Sequence, residues 1–210
     1  MQRSDLTSTP LPNYFFVGAR GAGKTFAIRG LGRFRPRILI VDPTSTLPAT
    51  FRDRDPARLA AMVRTQPIYD AVWLCAHATG REIADGAELI AAAMAERADR
   101  VDTLVIDELG VLDRRRMPDL QRLVRVGRHV GLSLWIASQR AVDAEPSWRA
   151  LVDAIVVFRQ VESRDLQALR QIHPDLAAGA KGLPDRHFFI YSTKTGRVDR
   201  RDPLPPMSCP

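Results

Sequence analysis

The sequence has little cysteine and no long apolar run. Its 210 residues include two cysteines, and neither belongs to a CxxC motif or a Cys/His cluster. This excludes a disulfide framework and a cysteine-based metal site, and it favours a reducing compartment. No run of about 18 apolar residues is present and the first residues are polar, so we expect neither a membrane span nor a secretory signal. These features predict a cytoplasmic protein, with Cys75 in the core and Cys209 in a C-terminal tail.

Negative charge is also in deficit. Lysine and arginine number 31 against 24 acidic residues, which gives a formal charge of +7 and a pI near 10.2. Such a surface attracts polyanions, and nucleic acid is the partner that the charge favours. The alternative is an arginine-rich genome, which writes the same composition without any nucleic-acid partner.

Apolar runs alternate with amphipathic segments along the chain. This alternation predicts an α/β fold with a mainly parallel central sheet flanked by helices. A flexible N-terminal arm is expected at 1–12, one domain at 13–200, and a Pro-rich tail at 201–210. The residues between 44 and 56 are expected to form a polar connection. The predicted strands are 14–17, 37–43, 70–76, 102–108, 132–139, 154–159 and 187–193. The predicted helices are 25–32, 56–65, 81–98, 117–131, 147–153 and 163–172.

A glycine-rich segment, GARGAGKT at 18–25, directly follows the first strand. It fits the pattern G-x-x-x-x-G-K-[ST], the P-loop or Walker A motif, in its expected place between a strand and a helix. Backbone N–H groups of such a loop hold phosphate oxygens, the lysine reaches the β- and γ-phosphates, and the hydroxyl binds Mg²⁺. The motif therefore predicts ATP and Mg²⁺ as ligands. The candidate nucleotide contacts are Gly18, Ala19, Arg20, Gly21, Ala22, Gly23, Lys24, Thr25 and Phe26.

Two acidic residues end a later buried strand, TLVIDE at 103–108. Downstream of a P-loop, Asp107 is expected to bind Mg²⁺ and Glu108 to activate the attacking water as general base. Gln139, in the segment LWIASQR, is expected at a strand tip where it senses the γ-phosphate. Ser138 is a second candidate for that role, or else a helix cap.

Several arginines are candidates for completing the charge around a γ-phosphate, often from a neighbouring subunit. We favour Arg128, with Arg159 and Arg140 as alternatives, and Arg20 is a candidate contact with the nucleotide or a neighbour. A separate arginine cluster directly follows the acidic pair. It is either a solvated helix start or a set of contacts to DNA phosphates. Its members are Arg114, Arg115, Arg116 and Arg122. Arg197, Arg200 and Arg201 have the same ambiguity.

These motifs, in this order, resemble the FtsK–HerA superfamily of ATPases, and the resemblance implies a P-loop NTPase fold of the RecA-like (ASCE) type. The specific part is RVGRHVGLSLWIASQR, which ends at Arg140, followed by AIVVFR and SRDLQALRQI. The resemblance covers residues 14 to about 175. In size, the chain is most similar to the small genome-packaging ATPases of membrane-containing icosahedral viruses.

The resemblance implies a ring of identical subunits, usually a hexamer, with ATP bound between neighbours and double-stranded DNA in the channel. It implies a motor that packages a viral genome into a preformed capsid, with a capsid vertex or membrane protein as its docking partner. The alternatives are a zonula-occludens-toxin-like phage ATPase and a stand-alone DNA-transfer ATPase. A kinase on the same fold and a nucleotide-gated binding protein also stay open.

Overall fold

The apolar segments are strands of a nine-stranded, mostly parallel sheet in a computed structural model of the protein. The structure describes residues 12–45, 47–96, 101–112 and 117–204. The predicted α/β class with a mainly parallel sheet is confirmed. The chain divides into two units: residues 1–13 with 35–135, and residues 14–34 with 136–210.

The first unit contains parallel strands in the order β3-β4-β2-β5. Both central strands, β2 and β5, are almost entirely buried, which explains why their sequences are largely apolar. These strands are β2 (Arg37–Asp42), β3 (Phe51–Asp53), β4 (Tyr69–Leu74) and β5 (Asp102–Asp107). A further buried strand, β6 (Leu132–Ser138), has residues in both units.

A buried ion pair joins the amino ends of these strands. Arg37 Nε donates to Asp102 Oδ1, and the hydroxyl of Tyr69 donates to the same oxygen at 2.9 Å. Arg37 and Tyr69 also face each other in the parallel register of β2 and β4. The pair therefore fixes the end of the sheet opposite to Asp107, which closes β5 at its carboxyl end.

The helices of the first unit begin at clear local signals. Asp55 caps α2 (Pro56–Thr65) by accepting from Ala57 N, and Thr79 forms a capping box with Glu82 at the start of α3 (Gly80–Ala95). Four apolar residues near helical spacing on α3 are buried: Ile83, Ala87, Ile90 and Met94. Helix α4 (Met117–Gly127) ends earlier than predicted, and a 3₁₀ turn at Arg128–Val130 follows it.

The second unit has strands in the order β1-β7-β8-β9. β1 pairs with β7 in parallel, whereas β7–β8 and β8–β9 are antiparallel. The strands are β1 (Tyr14–Val17), β7 (Ala154–Val157), β8 (Phe188–Ser192) and β9 (Val198–Arg201). The helices are α1 (Lys24–Gly32), α5 (Pro146–Arg149), α6 (Ser163–Ile172) and α7 (Pro174–Ala180).

Three elements were missed by sequence reasoning, and all are short. The expected polar connection contains β3, an edge strand of three residues. The strand at 187–193 is not the last one, because β9 pairs beyond it and carries Arg200 and Arg201. Charged residues are typical of edge strands, so neither segment has the apolar pattern of a central strand. Helix α7 begins at Pro174, where a ring nitrogen of His173 accepts from Asp175 N.

The expected arm and tail lie mostly outside the described residues. Within the described part of the chain, no helix is long and apolar enough to cross a bilayer.

Candidate functional site

The predicted phosphate-binding loop connects β1 to α1. Gly21 and Gly23 have φ angles of 76° and 109°, in the left-handed region that favours glycine. Helix α1 starts at Lys24, so its N-terminus and partial positive charge lie at the end of the loop. A glycine-rich turn that leads into a helix N-terminus is suited to bind phosphate.

The beginning of the loop is anchored to two neighbouring segments. Gly18 N donates to Ser138 O at 3.3 Å, and Ala19 N donates to Arg159 O at 2.9 Å. A Cβ at Gly18 would lie 2.5 Å from Phe158 Cβ, which is closer than real contacts allow. Glycine is therefore required at position 18 by packing, whereas Gly21 has open space and is required by its backbone angle.

The Lys24 side chain folds along the inside of this loop. It is buried, with 8% of its surface exposed, and its Nζ donates to Gly18 O at 2.7 Å and Ala19 O at 3.3 Å. Thr25 is half-buried beside it, and Arg20 is exposed. The ammonium group is thus positioned at the loop, where a phosphate chain would need it.

Gln139, the predicted sensor, follows β6 and lies in the same unit as the loop. Gln139 is exposed, and its backbone carbonyl accepts from Gln160 Nε2 at 3.0 Å. Ser138 is fully buried, donates to Asp143 and accepts from Arg140 N. Ser138 therefore braces the turn that presents Gln139.

The two alternative arginine fingers have acidic partners within the chain. Arg140 Nε contacts Asp165 Oδ2 at 2.9 Å, and Asp165 is fully buried. Arg159 contacts Asp185 at 2.9 Å, and both side chains of this pair are substantially exposed. Because its partner is exposed, Arg159 is the easier of the two to release to another group.

The acidic pair lies at the carboxyl end of β5 in the first unit, where Asp107 is the last residue of the strand and Glu108 follows it. Asp107 and Glu108 are both half-buried, and Glu108 has a φ angle of 101°, which is unusual for a residue with a side chain. Such outliers cluster at functional sites, because the surrounding structure must hold them in place. A Cβ at Gly110 would lie 3.1 Å from Glu108 Oε1, so the glycine leaves room for this carboxylate.

Two further candidate arginines, Arg128 and Arg122, belong to the first unit. Arg128 lies in the 3₁₀ turn before β6, and Arg122 is exposed on α4. Arg114, Arg115 and Arg116 fall outside the described residues. Their roles remain predictions.

Three residues of this region were not predicted as site residues: Gln160, Asp165 and Arg186. Gln160 and Asp165 hold the segment after β6. Arg186 lies against the loop, with its N–H donating to Ala22 O at 3.0 Å and its guanidinium 4.5 Å from the centre of the Phe26 ring. No sequence motif marks Gln160 or Arg186, whereas Asp165 belongs to the segment SRDLQALRQI that carries part of the family resemblance.

Searches of protein-family models and of curated proteins found no match. Solved structures do match. The genome packaging NTPase B204 from Sulfolobus turreted icosahedral virus 2, in complex with AMPPCP, has a TM-score of 0.75 at 19% identity, over 93% of this chain and 99% of that chain. The plasmid coupling protein TrwB, in complex with ADP and Mg²⁺, has a TM-score of 0.68 at 14% identity, over 93% and 85%.

EssC (ATPases 2 and 3) from Geobacillus thermodenitrificans has a TM-score of 0.58 at 11% identity, over 94% of this chain and 40% of that chain. At these identities the similarity is one of fold. It confirms the P-loop ATPase fold that the FtsK–HerA resemblance implied.

Proposed function

We propose that the protein is an ATPase that moves double-stranded DNA. The observation that carries this proposal is the fold similarity to a genome packaging NTPase over nearly the whole length of both chains. The lysine-bearing loop is proposed to bind the nucleotide, and the acidic pair Asp107 and Glu108 is proposed to bind the metal ion and activate water.

The loop residues fit a nucleoside triphosphate and a magnesium ion. Lys24 is buried within the loop, the glycines at 21 and 23 have left-handed φ angles, and Thr25 lies in the first turn of the helix beside them. Thr25 and Asp107 would hold Mg²⁺, which neutralises charge on the phosphates when bound. The buried Lys24 ammonium would exchange its two carbonyl acceptors for phosphate oxygens, which are stronger partners because they are charged.

Glu108 is the proposed general base. Its carboxylate would accept a proton from water while the water oxygen bonds to the γ-phosphorus and the bond to the β–γ bridging oxygen breaks, so that ADP and phosphate form. The left-handed backbone of Glu108 and the space left by Gly110 support this role. Gln139 is proposed to orient the water or contact the γ-phosphate.

An arginine of a neighbouring subunit would complete the positive charge around the γ-phosphate. Arg128 remains the proposed finger, with Arg159 and Arg140 as alternatives. The fully buried carboxylate of Asp165 makes Arg140 the weakest of the three, because releasing it would leave a buried charge unpaired.

The net charge of +7 supports a polyanionic substrate. Arg122 is exposed, and together with Arg114, Arg115 and Arg116 it is proposed to follow DNA phosphates without reading bases. A ring of subunits would surround the DNA. Loops released when the γ-phosphate is lost would push its backbone.

In its finer form, the proposal is the packaging of a viral genome into a preformed capsid, at a vertex, in the host cytoplasm. The fold similarity to the genome packaging NTPase B204, over 93% of this chain and 99% of that chain, favours this form over the alternatives. Transfer of DNA by a stand-alone ATPase is the second candidate, which the similarity to the plasmid coupling protein TrwB favours.

The test is the steady-state ATPase rate with and without double-stranded DNA, at low and at moderate salt. We expect DNA to stimulate the wild-type rate at low salt and to lose this effect as salt rises, because phosphate contacts release counterions. Glu108→Gln should lower the rate by orders of magnitude, whereas the exposed control Glu145→Gln should not.

A second variant separates DNA contact from chemistry. Arg122→Ala should weaken the DNA stimulation and keep the basal rate, whereas Arg170→Ala, on the exposed face of α6, should keep both. DNA binding that is indifferent to salt would contradict the motor proposal. ATP turnover that requires a phosphate-accepting co-substrate would identify a kinase instead.

A further inference from the structure

Arg186 has a backbone conformation that is rare for a residue with a side chain. It lies in the segment 183–187 between α7 and β8, and its φ angle of 66° is in the left-handed region. Only Ser45, Glu108 and Arg186 share this property among the non-glycine residues that the structure describes. Glycine would adopt this conformation without strain, so the arginine side chain is the feature that needs an explanation.

The backbone of Arg186 is fitted closely against the phosphate-binding loop. Its N–H donates to Ala22 O at 3.0 Å, and a Cβ at Gly23 would lie 2.8 Å from Arg186 Cα. The preceding residue, Asp185, contacts Arg159, whose carbonyl accepts from Ala19 N. This segment is thus attached near both ends of the loop, so its side chains lie beside the place where phosphates are proposed to bind.

The side chain of Arg186 stacks on an aromatic ring. Its guanidinium carbon lies 4.5 Å from the centre of the Phe26 ring, within the range of a cation–π contact. Arg186 is exposed and Phe26 is half-buried, so the pair presents a flat surface to solvent. Phe26 follows Thr25 directly on the first turn of α1, on the side where the chain leaves the phosphate-binding loop.

We propose that Arg186 and Phe26 form the binding site for the base of the nucleotide, and that this site favours a purine. The proposal rests on the ATPase function proposed above. A base is joined through the ribose to the phosphates, so it must lie beside the loop that holds them. A guanidinium plane and a phenyl ring both stack on nucleobases, and the larger purine face gains more from stacking.

The experiment compares ATP with inorganic tripolyphosphate, which has the phosphates and lacks the base. Isothermal titration calorimetry with Mg²⁺ gives the Kd of each for wild type and for Arg186→Gly. Glycine suits the left-handed φ angle, so this variant removes the side chain without disturbing the fold. Loss of one stacking contact should weaken ATP binding about tenfold and leave tripolyphosphate binding unchanged.

Three further measurements separate stacking from charge. Arg186→Lys keeps the charge and loses the planar group, so it should resemble Arg186→Gly. Phe26→Leu should also weaken ATP selectively, and wild type should bind ATP more tightly than CTP. The matched control is Arg170→Ala, an exposed arginine on α6, which should change neither Kd.

The outcomes distinguish the two proposals. Equal losses for ATP and tripolyphosphate in Arg186→Gly would mean that Arg186 contacts phosphates, and would overturn the base site. Unchanged ATP binding in this variant would also overturn it, while the phosphate site would stand. A wild-type protein that binds neither ligand would overturn the ATPase proposal itself.

Discussion

Removal of the Asp165 carboxylate is the strongest test of how the segment after β6 is held. It is fully buried and accepts from Arg140 Nε at 2.9 Å and from Val142 N at 3.2 Å. Asp165→Ala removes both bonds. The Val142 N–H left unpaired should cost about 1 kcal/mol. The lost ion pair should cost about 1 kcal/mol more, because the Arg140 side chain is half-exposed and water can solvate it.

The expected loss is therefore about 2 kcal/mol in the free energy of unfolding, or a fall of about 4–8 °C in Tm for a chain of this size. Thermal unfolding followed by circular dichroism measures it. Asp165→Asn keeps an acceptor for Val142 N and should lose about half as much. The ATPase rate should fall in parallel, because the same segment carries Gln139.

A double-mutant cycle of Arg140→Ala with Asp165→Ala provides the control on the pair itself. We expect a coupling energy of at least about 1 kcal/mol, since Arg140→Ala alone leaves the buried carboxylate of Asp165 without its cation and the second removal takes that charge away. Asp202→Ala is the matched surface control, because this carboxylate is almost fully exposed, and it should leave Tm unchanged. If Asp165→Ala melts within about 1 °C of wild type, or if the two single effects simply add, the reasoning is refuted.

Three further predictions concern two glycines in close contacts and one buried thiol. Gly110→Ala should lower kcat and keep the Kd of ATP, because the new Cβ would lie 3.1 Å from Glu108 Oε1; ATPase and calorimetric assays check this. Gly18→Ala should cost about 1–3 kcal/mol in urea unfolding and abolish ATP binding, because its Cβ would lie 2.5 Å from Phe158 Cβ. In a Cys209→Ser background, Cys75 should not react with a thiol reagent at pH 8, since burial, and then the Asp42 charge, raises its pKa to about 12.

The raised pKa of Cys75 also makes the free energy of unfolding depend on pH. The thiol ionises at a lower pH in the unfolded chain than in the native protein, so the stability that it contributes is fully present below the ordinary thiol pKa and is lost as pH rises toward about 12. Full reaction of Cys75 in the native protein would contradict the burial argument, and denatured protein provides the positive control.

Gly182→Ala is the control for the glycine variants, because a Cβ at this position would meet open space, and the ATPase rate should not change.

Local sequence signals determined the bounds of two helices correctly. Helices α2 and α6 have the predicted bounds of 56–65 and 163–172. A proline at the helix start acts through its own fixed φ angle, and a small polar residue acts through its side chain on a nearby backbone N–H, so both effects are readable without the fold. The short elements β3, α7 and β9 were not readable, because short edge strands depend on the neighbour with which they pair.

The sequence by itself determined the glycine-rich turn between β1 and α1, the buried strands, and the position of Asp107 and Glu108 after a buried strand. Each is encoded by contiguous residues, whose glycines or apolar pattern predict the local structure directly. Only the tertiary structure decided that Glu108 has a left-handed backbone, that Asp165 holds Arg140, and that Arg186 stacks on Phe26. The two side-chain contacts join residues far apart in the chain, and no periodicity or motif encodes them. They therefore exist only in the folded chain.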